Sequence, residues 1–236
     1  MKFLAMQRIV VTIDGPAGSG KTTCARELAR RMGFAFLDTG AMYRAATLEA
    51  LEKGLDLADE EAVASCAQKM RLELTADLAG GLKVILDGRD VTERIRGEDV
   101  TVNAKFVAAN GEAREHMVRL QRRFAADRDI VTEGRDQGTV AFPRARMKFF
   151  LDASLKERVR RRSMELSARG EKVEPEELKK RMAARDRSDL ERPVGALRRS
   201  ADMVYLDTTD LSVDETVRLM EAFVSKAVHS PDPQGP

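Results

Sequence analysis

The sequence predicts an α/β fold, a five-stranded parallel sheet with helices on both faces, plus a small antiparallel β insert. Short apolar runs alternate with longer segments of helical spacing, the pattern of a parallel sheet covered on both sides. One stretch, from Arg71 to Val91, departs from that alternation and repeats with period two. At 236 residues the chain can bury one core and carry a small inserted or mobile unit.

The first strand is the β-branched run Ile9-Val10-Val11-Thr12-Ile13. It leads into Gly15-Pro16-Ala17-Gly18-Ser19-Gly20-Lys21-Thr22, two glycines bracketing four residues, then lysine and a hydroxyl. A helix follows from Thr23 and stops at Gly33. Strand, glycine-rich loop and helix together make an anion cradle: backbone N–H groups turn inward and the helix terminus adds free donors. Lys21 would reach the β- and γ-phosphates of a triphosphate, with the Thr22 hydroxyl on Mg²⁺.

Phe34–Leu37 reads as the second strand, and Asp38 or Thr39 caps a helix that stops at Gly54. A further helix spans Asp59 to Met70. Leu72 and Leu74, then Leu82, Val84 and Leu86, alternate with polar residues, and Asp87-Gly88 marks a hairpin turn. Helices return from Glu98 and from about Asn110, where Ala113, Met117, Leu120 and Phe124 share one face. Ile130–Thr132, Met147–Leu151 and Met203–Leu206 complete the strands, and Asp214 to Ala227 is a closing helix. Residues 229–236 are expected to be disordered.

Bulk properties narrow the function classes. The chain is 43% hydrophobic and 34% charged with no long apolar run, and the N-terminal apolar stretch is too short for a secretory leader. Cys24 and Cys66 stand in no metal-ligand spacing and suit a reducing compartment. A net charge of +2 argues against a general nucleic-acid binder. Residues 155–192 hold 13 basic against 9 acidic side chains, a local excess that suits a compact anionic ligand.

In an open parallel sheet ligands bind beyond the carboxyl ends of the strands. Arg44 and Arg135 follow core strands on the same edge as the glycine-rich loop, and Asp136 stands beside Arg135. Arg158, Arg161 and Arg162 share a helix face, as do Arg185, Asp189 and Arg192 if that segment stays helical. Planar guanidinium matches phosphate geometry, and several around a triphosphate site suit phosphoryl transfer. Arg160, Lys179 and Lys180 read instead as a solvated face, and His116 as structural or exposed. No Ser/His/Asp arrangement and no Asn-Lys-x-Asp signature of a guanine switch is present.

Five stretches together carry a resemblance to the bacterial cytidylate kinases, within the nucleoside monophosphate kinases. They are 12–21, 37–44, 133–139, 149–154 and 185–189, and the resemblance runs from about Arg8 to about Ala227. It implies a P-loop NTPase core over 8–58 and 99–228, a nucleoside monophosphate-binding insert over 59–98 and a helical, mobile lid over 154–173. It further implies transfer of the ATP γ-phosphoryl to CMP or dCMP with Mg²⁺, by a cytoplasmic monomer that binds neither nucleic acid nor membrane.

The resemblance also distributes roles. Gly15, Pro16, Ala17, Gly18, Ser19, Gly20, Lys21, Thr22 and Thr23 would bind ATP, with Thr22 on the metal. Lys21, Arg158, Arg161 and Arg162 would act on the transferring group. Thr39, Arg44, Arg114, Arg135, Asp136, Arg185, Asp189 and Arg192 would bind CMP, with Arg114 and Asp136 on the base. Lys105 stands where some relatives carry a base-contacting serine, Thr39 replaces a serine of some relatives, and Gln137 replaces a commoner apolar residue.

Overall fold

A computed structural model describes residues 8–76, 82–168 and 170–229. The leader reading falls on residues before 8, outside the described residues. Of the expected disordered tail over 229–236, His229 is instead the last residue of the closing helix, and the rest lies outside the described residues.

The elements run β1 (Val10–Asp14), α1 (Lys21–Met32), β2 (Ala35–Asp38), α2 (Thr39–Glu52), α3 (Glu60–Lys69), β3 (Leu72–Ala76), β4 (Leu82–Leu86) and β5 (Arg89–Asp90). After a 3-10 turn at Arg94–Arg96 come α4 (Glu98–Ala109), α5 (Gly111–Phe124) and β6 (Ile130–Gly134). A π-turn at Gln137–Ala141 precedes β7 (Met147–Asp152), α6 (Leu155–Ala168), α7 (Pro175–Glu191), β8 (Val204–Asp207) and α8 (Val213–His229). The five core strands pair in parallel in the order β2-β6-β1-β7-β8, and β3-β4-β5 form the small antiparallel sheet. Both sheets are the ones the sequence predicts.

The helix boundaries follow local chemistry. Asp38 caps α2 by accepting the Ala41 N–H at 2.8 Å, Asp59 caps α3 through Ala62, and Asn110 caps α5 through Ala113. Gly33, at φ 69°, ends α1 as a left-handed cap.

Every residue of β6 and the last four of β1 are buried, which explains why those runs lack alternation. Val11, Ile13, Leu28, Leu37, Ile130, Phe149 and Leu151 form the centre of the core, each worth about 1.5–3 kcal/mol of burial where the side chain is large. Of the α5 face, Ala113 and Met117 are fully buried while Leu120 and Phe124 only pack against its margin.

Two packing features refine the expected organisation. Leu82, Val84, Leu86, Val91 and Ile95 belong to the same hydrophobic cluster as the main sheet, so the insert has no separate core. Val159 and Leu166 of α6 instead form their own small cluster with Leu178 and Met182 of α7. Helix α6 therefore packs as one half of an α6–α7 hairpin.

Register brings the chemistry to one edge. Asp14 pairs with Gly134 between β1 and β6, and Asp38 pairs with Glu133 between β2 and β6. Because β6 lies between β1 and β2, the loops after all three strands emerge side by side.

Candidate active site

The loop after β1 is built for an anion. Gly15, Gly18 and Gly20 all have positive φ, a conformation that L side chains rarely adopt. A side chain on Gly18 would also crowd α6 and α7, because its Cβ would lie 3.1 Å from Arg158 Cβ and from Met182 Cε. Helix α1 begins at Lys21 with no side-chain cap, so its first N–H groups keep their donors free for a ligand. The Lys21 ammonium lies back along the loop, donating to the Pro16 carbonyl at 2.6 Å and to Ser19 Oγ at 3.4 Å. Burial, and then the Arg135 charge, push Lys21 down to about 7.

Thr22 donates its hydroxyl to Glu133 Oε1 at 3.0 Å. Burial and the neighbouring Asp38 carboxylate hold Glu133 above the usual carboxylate range. The sequence reading places Thr22 on the metal and misses Glu133, whose only local signal is its position at the end of a core strand.

Opposite the loop, arginines are held by carboxylates. Arg44 pairs with Asp38 at 3.2 Å. Asp189 uses both oxygens, accepting Arg135 Nε at 2.6 Å and Arg192 at 2.5 Å. Burial opposes the carboxylate charge of Asp189, but Arg135 and then Arg192 outweigh it and hold its carboxyl below the ordinary range. Helix α7 ends at Glu191, so Arg192 is not part of the common helical face that the spacing suggested; it turns back from the extended cap residue to Asp189. Desolvation, then the Arg135 charge, push Arg185 down to about 10, which leaves it a cation at neutral pH. Thr39 closes this side by donating to the Glu133 carbonyl at 2.7 Å.

Arg114 and Asp136 form a buried ion pair, 3% and 6% exposed. Arg114 also donates to the Ala108 carbonyl at 3.0 Å and stacks over the Tyr43 ring at 5.4 Å. Gly195, at φ 69°, lies against this pair so closely that a Cβ there would fall 2.5 Å from Asp136 Oδ2. Lys105 is exposed, with its ammonium over the Phe106 ring at 5.1 Å.

The three arginines of α6 do not present one common face to the loop. Arg158 is buried, donating to the carbonyls of Ala153 and Ala17 and pairing with Asp186 at 2.7 Å. Arg161 donates to Thr208 Oγ1 at 3.0 Å and to the Thr208 carbonyl at 2.5 Å. Arg162 pairs with Glu165 along the helix. The i, i+3, i+4 spacing is real, but each side chain meets a different neighbour. Thr208, also bonded to the Ser19 and Asp152 carbonyls, has no local sequence signal, since only the fold brings β8 beside the loop. Arg160 and Lys179 are surface ion-pair partners of Glu157 and Glu176, as expected.

A glycine cradle at a helix N-terminus, facing a cluster of carboxylate-held arginines across one sheet edge, defines a nucleotide-binding P-loop protein of the α/β class. The family model for cytidylate kinase matches residues 11–226. The cytidylate kinase of Pelotomaculum thermopropionicum is 45% identical over 215 residues, covering 91% of this chain and 95% of its own. That of Geobacillus kaustophilus is 46% identical over 216 residues, covering 91% and 96%. An uncharacterised protein from Eubacterium ventriosum shares the fold at 11% identity and a TM-score of 0.50, covering 92% of this chain and 99% of its own. The chain belongs to the cytidylate kinase family.

Proposed function

We propose that the protein transfers the γ-phosphoryl group of ATP to the phosphate of CMP or dCMP. Family membership supports the reaction, and one observation carries the choice of acceptor: the buried Arg114–Asp136 pair beside the Arg135–Asp189–Arg192 cluster. The cluster offers permanent cations to a phosphate, and the pair offers a donor and an acceptor to a base edge. Cytosine presents O2 and N3 as acceptors and an exocyclic amine as donor, which matches both. Uracil would put a carbonyl against the Asp136 carboxylate and leave a buried polar group unpaired, a cost of about 1–3 kcal/mol.

Residues 15–23 hold the donor triphosphate, with Lys21 released from Pro16 to the phosphate oxygens. Thr22 and Glu133 fit Mg²⁺, because a hydroxyl and one carboxylate are the sparse hard-oxygen donors this ion accepts alongside phosphate and water. Bound there, Mg²⁺ would neutralise charge on the β- and γ-phosphates. Arg44, Arg135 and Arg192 orient the acceptor phosphate, whose own oxygen is the nucleophile and needs no strong base. Arg185 and Asp189 face the acceptor's sugar and phosphate. Arg158, Arg161 and Arg162, on the α6–α7 hairpin, neutralise the transferring group when that lid closes. No described helix is long and apolar enough to cross a membrane. We take the working form to be a cytoplasmic monomer acting on free nucleotides, with no role for nucleic acid.

A coupled assay across CMP, dCMP, UMP and AMP, with and without Mg²⁺, tests the reading. CMP and dCMP should turn over fastest and only with Mg²⁺. UMP or AMP equalling CMP would overturn the assignment of the acceptor.

A further inference from the structure

A buried carboxylate joins the start of the donor loop to the backbone of the acceptor turn. Asp14 is the last residue of β1 and the one immediately before Gly15. It is fully buried, and its two oxygens accept the backbone N–H groups of Gln137 at 2.9 Å and Gly138 at 2.8 Å. Those two residues directly follow Arg135 and Asp136. The turn they open is closed by the Val140 and Ala141 N–H groups on the Asp136 carbonyl.

The contact is a side-chain cap supplied from across the sheet. The first N–H groups of a helical turn have no partner within it, and an anion is their best acceptor. Here Asp136, the local cap residue, makes no side-chain bond to the turn, because its carboxylate is committed to Arg114. Asp14 takes that place. The turn is also anchored on its other flank, where Thr132 donates to Gln137 Oε1 at 3.0 Å and Gln137 Nε2 donates to Gln121 at 3.3 Å. Those bonds tie it to β6 and α5, and Asp14 is what ties it to the donor loop.

We propose that Asp14 is a positioning residue that sets the separation between the donor and acceptor phosphates. Its backbone fixes the start of the donor loop, and its two oxygens fix the turn carrying Arg135 and Asp136. A shift of the turn by a fraction of an ångström leaves each nucleotide its own contacts but spoils the alignment of attacking oxygen and γ-phosphorus. In-line transfer is acutely sensitive to such misplacement, and an error of about 1 Å costs on the order of a hundredfold. The proposal rests on the acceptor site lying at Arg135 and Asp136.

Asp14→Asn tests it, keeping the volume and one acceptor while turning an amide N–H₂ toward a backbone N–H. Expected is a kcat about 10- to 100-fold lower, normalised to folded protein, with KM for ATP and for CMP each within about threefold. An adenosine–cytidine compound linked by five phosphates, which spans both sites, should lose affinity while ATP and CMP alone do not. An unchanged kcat, or a loss carried only by KM, overturns the proposal. Should Asp14→Asn not fold, amide exchange in the unaltered chain decides: a non-hydrolysable ATP analogue alone should slow exchange at Gln137 and Gly138, and unchanged exchange there overturns it. Failure of the acceptor assignment is a separate result, seen as absence of CMP turnover in the unaltered chain.

Discussion

The Thr22 hydroxyl and the Glu133 carboxylate meet at 3.0 Å although 111 residues separate them in sequence. The hydroxyl belongs to the first turn of α1 and the carboxylate to the end of β6, so parallel pairing of β1 with β6 creates the contact. A hard cation would replace this hydrogen bond by binding both oxygens or their water shell. Glu133→Gln keeps the shape and removes the charge. It should raise the Mg²⁺ concentration needed for half-maximal turnover about 10- to 100-fold and leave metal-free ATP binding nearly unchanged. A Mg²⁺ titration of activity checks this, and an unshifted midpoint would remove Glu133 from the metal site.

Asp189 holds two arginines that otherwise repel each other, and both are largely buried. Removing its charge with Asp189→Asn leaves that repulsion uncompensated, a loss of about 3 kcal/mol for a buried pair. An acceptor phosphate between the same guanidiniums would supply the missing charge. Melting temperature should therefore fall in the free protein, and CMP should raise it by more in Asp189→Asn than in the unaltered chain. Equal stabilisation by CMP in both would place the acceptor phosphate elsewhere.

How far the sequence shows this site depends on where each residue's partner lies. The donor loop is legible because its residues are contiguous and its strand and helix flank it directly. The five strands are legible for a related reason: buried parallel strands leave short, mostly apolar β-branched runs such as Val10–Ile13, interrupted only by Thr12, and Ile130–Val131. Arg135, directly after β6, and Arg44, in the second turn of α2, are legible because each follows a core strand on the edge of the donor loop and carries a permanent charge suited to phosphate. Asp14, Glu133 and Thr208 are not, since a lone polar residue at a strand end says nothing until the sheet order assigns its neighbour. Helical spacing correctly puts Arg158, Arg161 and Arg162 together on α6, but it cannot foresee that Asp186, Thr208 and Glu165 divide them. Arg192 misled the pattern because the helix stops one residue short of it.

Base choice is open to a direct change at Asp136. Asp136→Asn replaces an acceptor with a group that can turn either its oxygen or its N–H₂ toward the base. It also removes the counter-charge of Arg114, so some stability will be lost with it. The ratio of kcat/KM for CMP over UMP should fall about tenfold or more, chiefly because UMP improves relative to CMP. Steady-state kinetics on both acceptors read the ratio directly and cancel any loss of folded protein. An unchanged ratio would show that Asp136 holds Arg114 without touching the base.

The last prediction concerns protons. Burial and the Arg135 charge lower Lys21 to about 7 in the free protein, while in the unfolded chain it titrates in the ordinary lysine range near about 10.4. Between those values the unfolded chain binds more protons, so this group makes stability rise with pH across that window. Binding of ATP reverses the local balance, because the phosphates favour the ammonium over the neutral amine. Between about pH 7 and the ordinary lysine range, ATP binding should therefore take up a proton, and affinity should weaken as pH rises through it. Calorimetry in buffers of different ionisation enthalpy measures the uptake. Lys21→Met should abolish the uptake that Lys21 supplies and leave any supplied by Asp14, a carboxyl that burial also raises to about 7, so the substitution rather than the pH window separates the two. Proton uptake that survives Lys21→Met would mean that another group takes the proton when the donor binds.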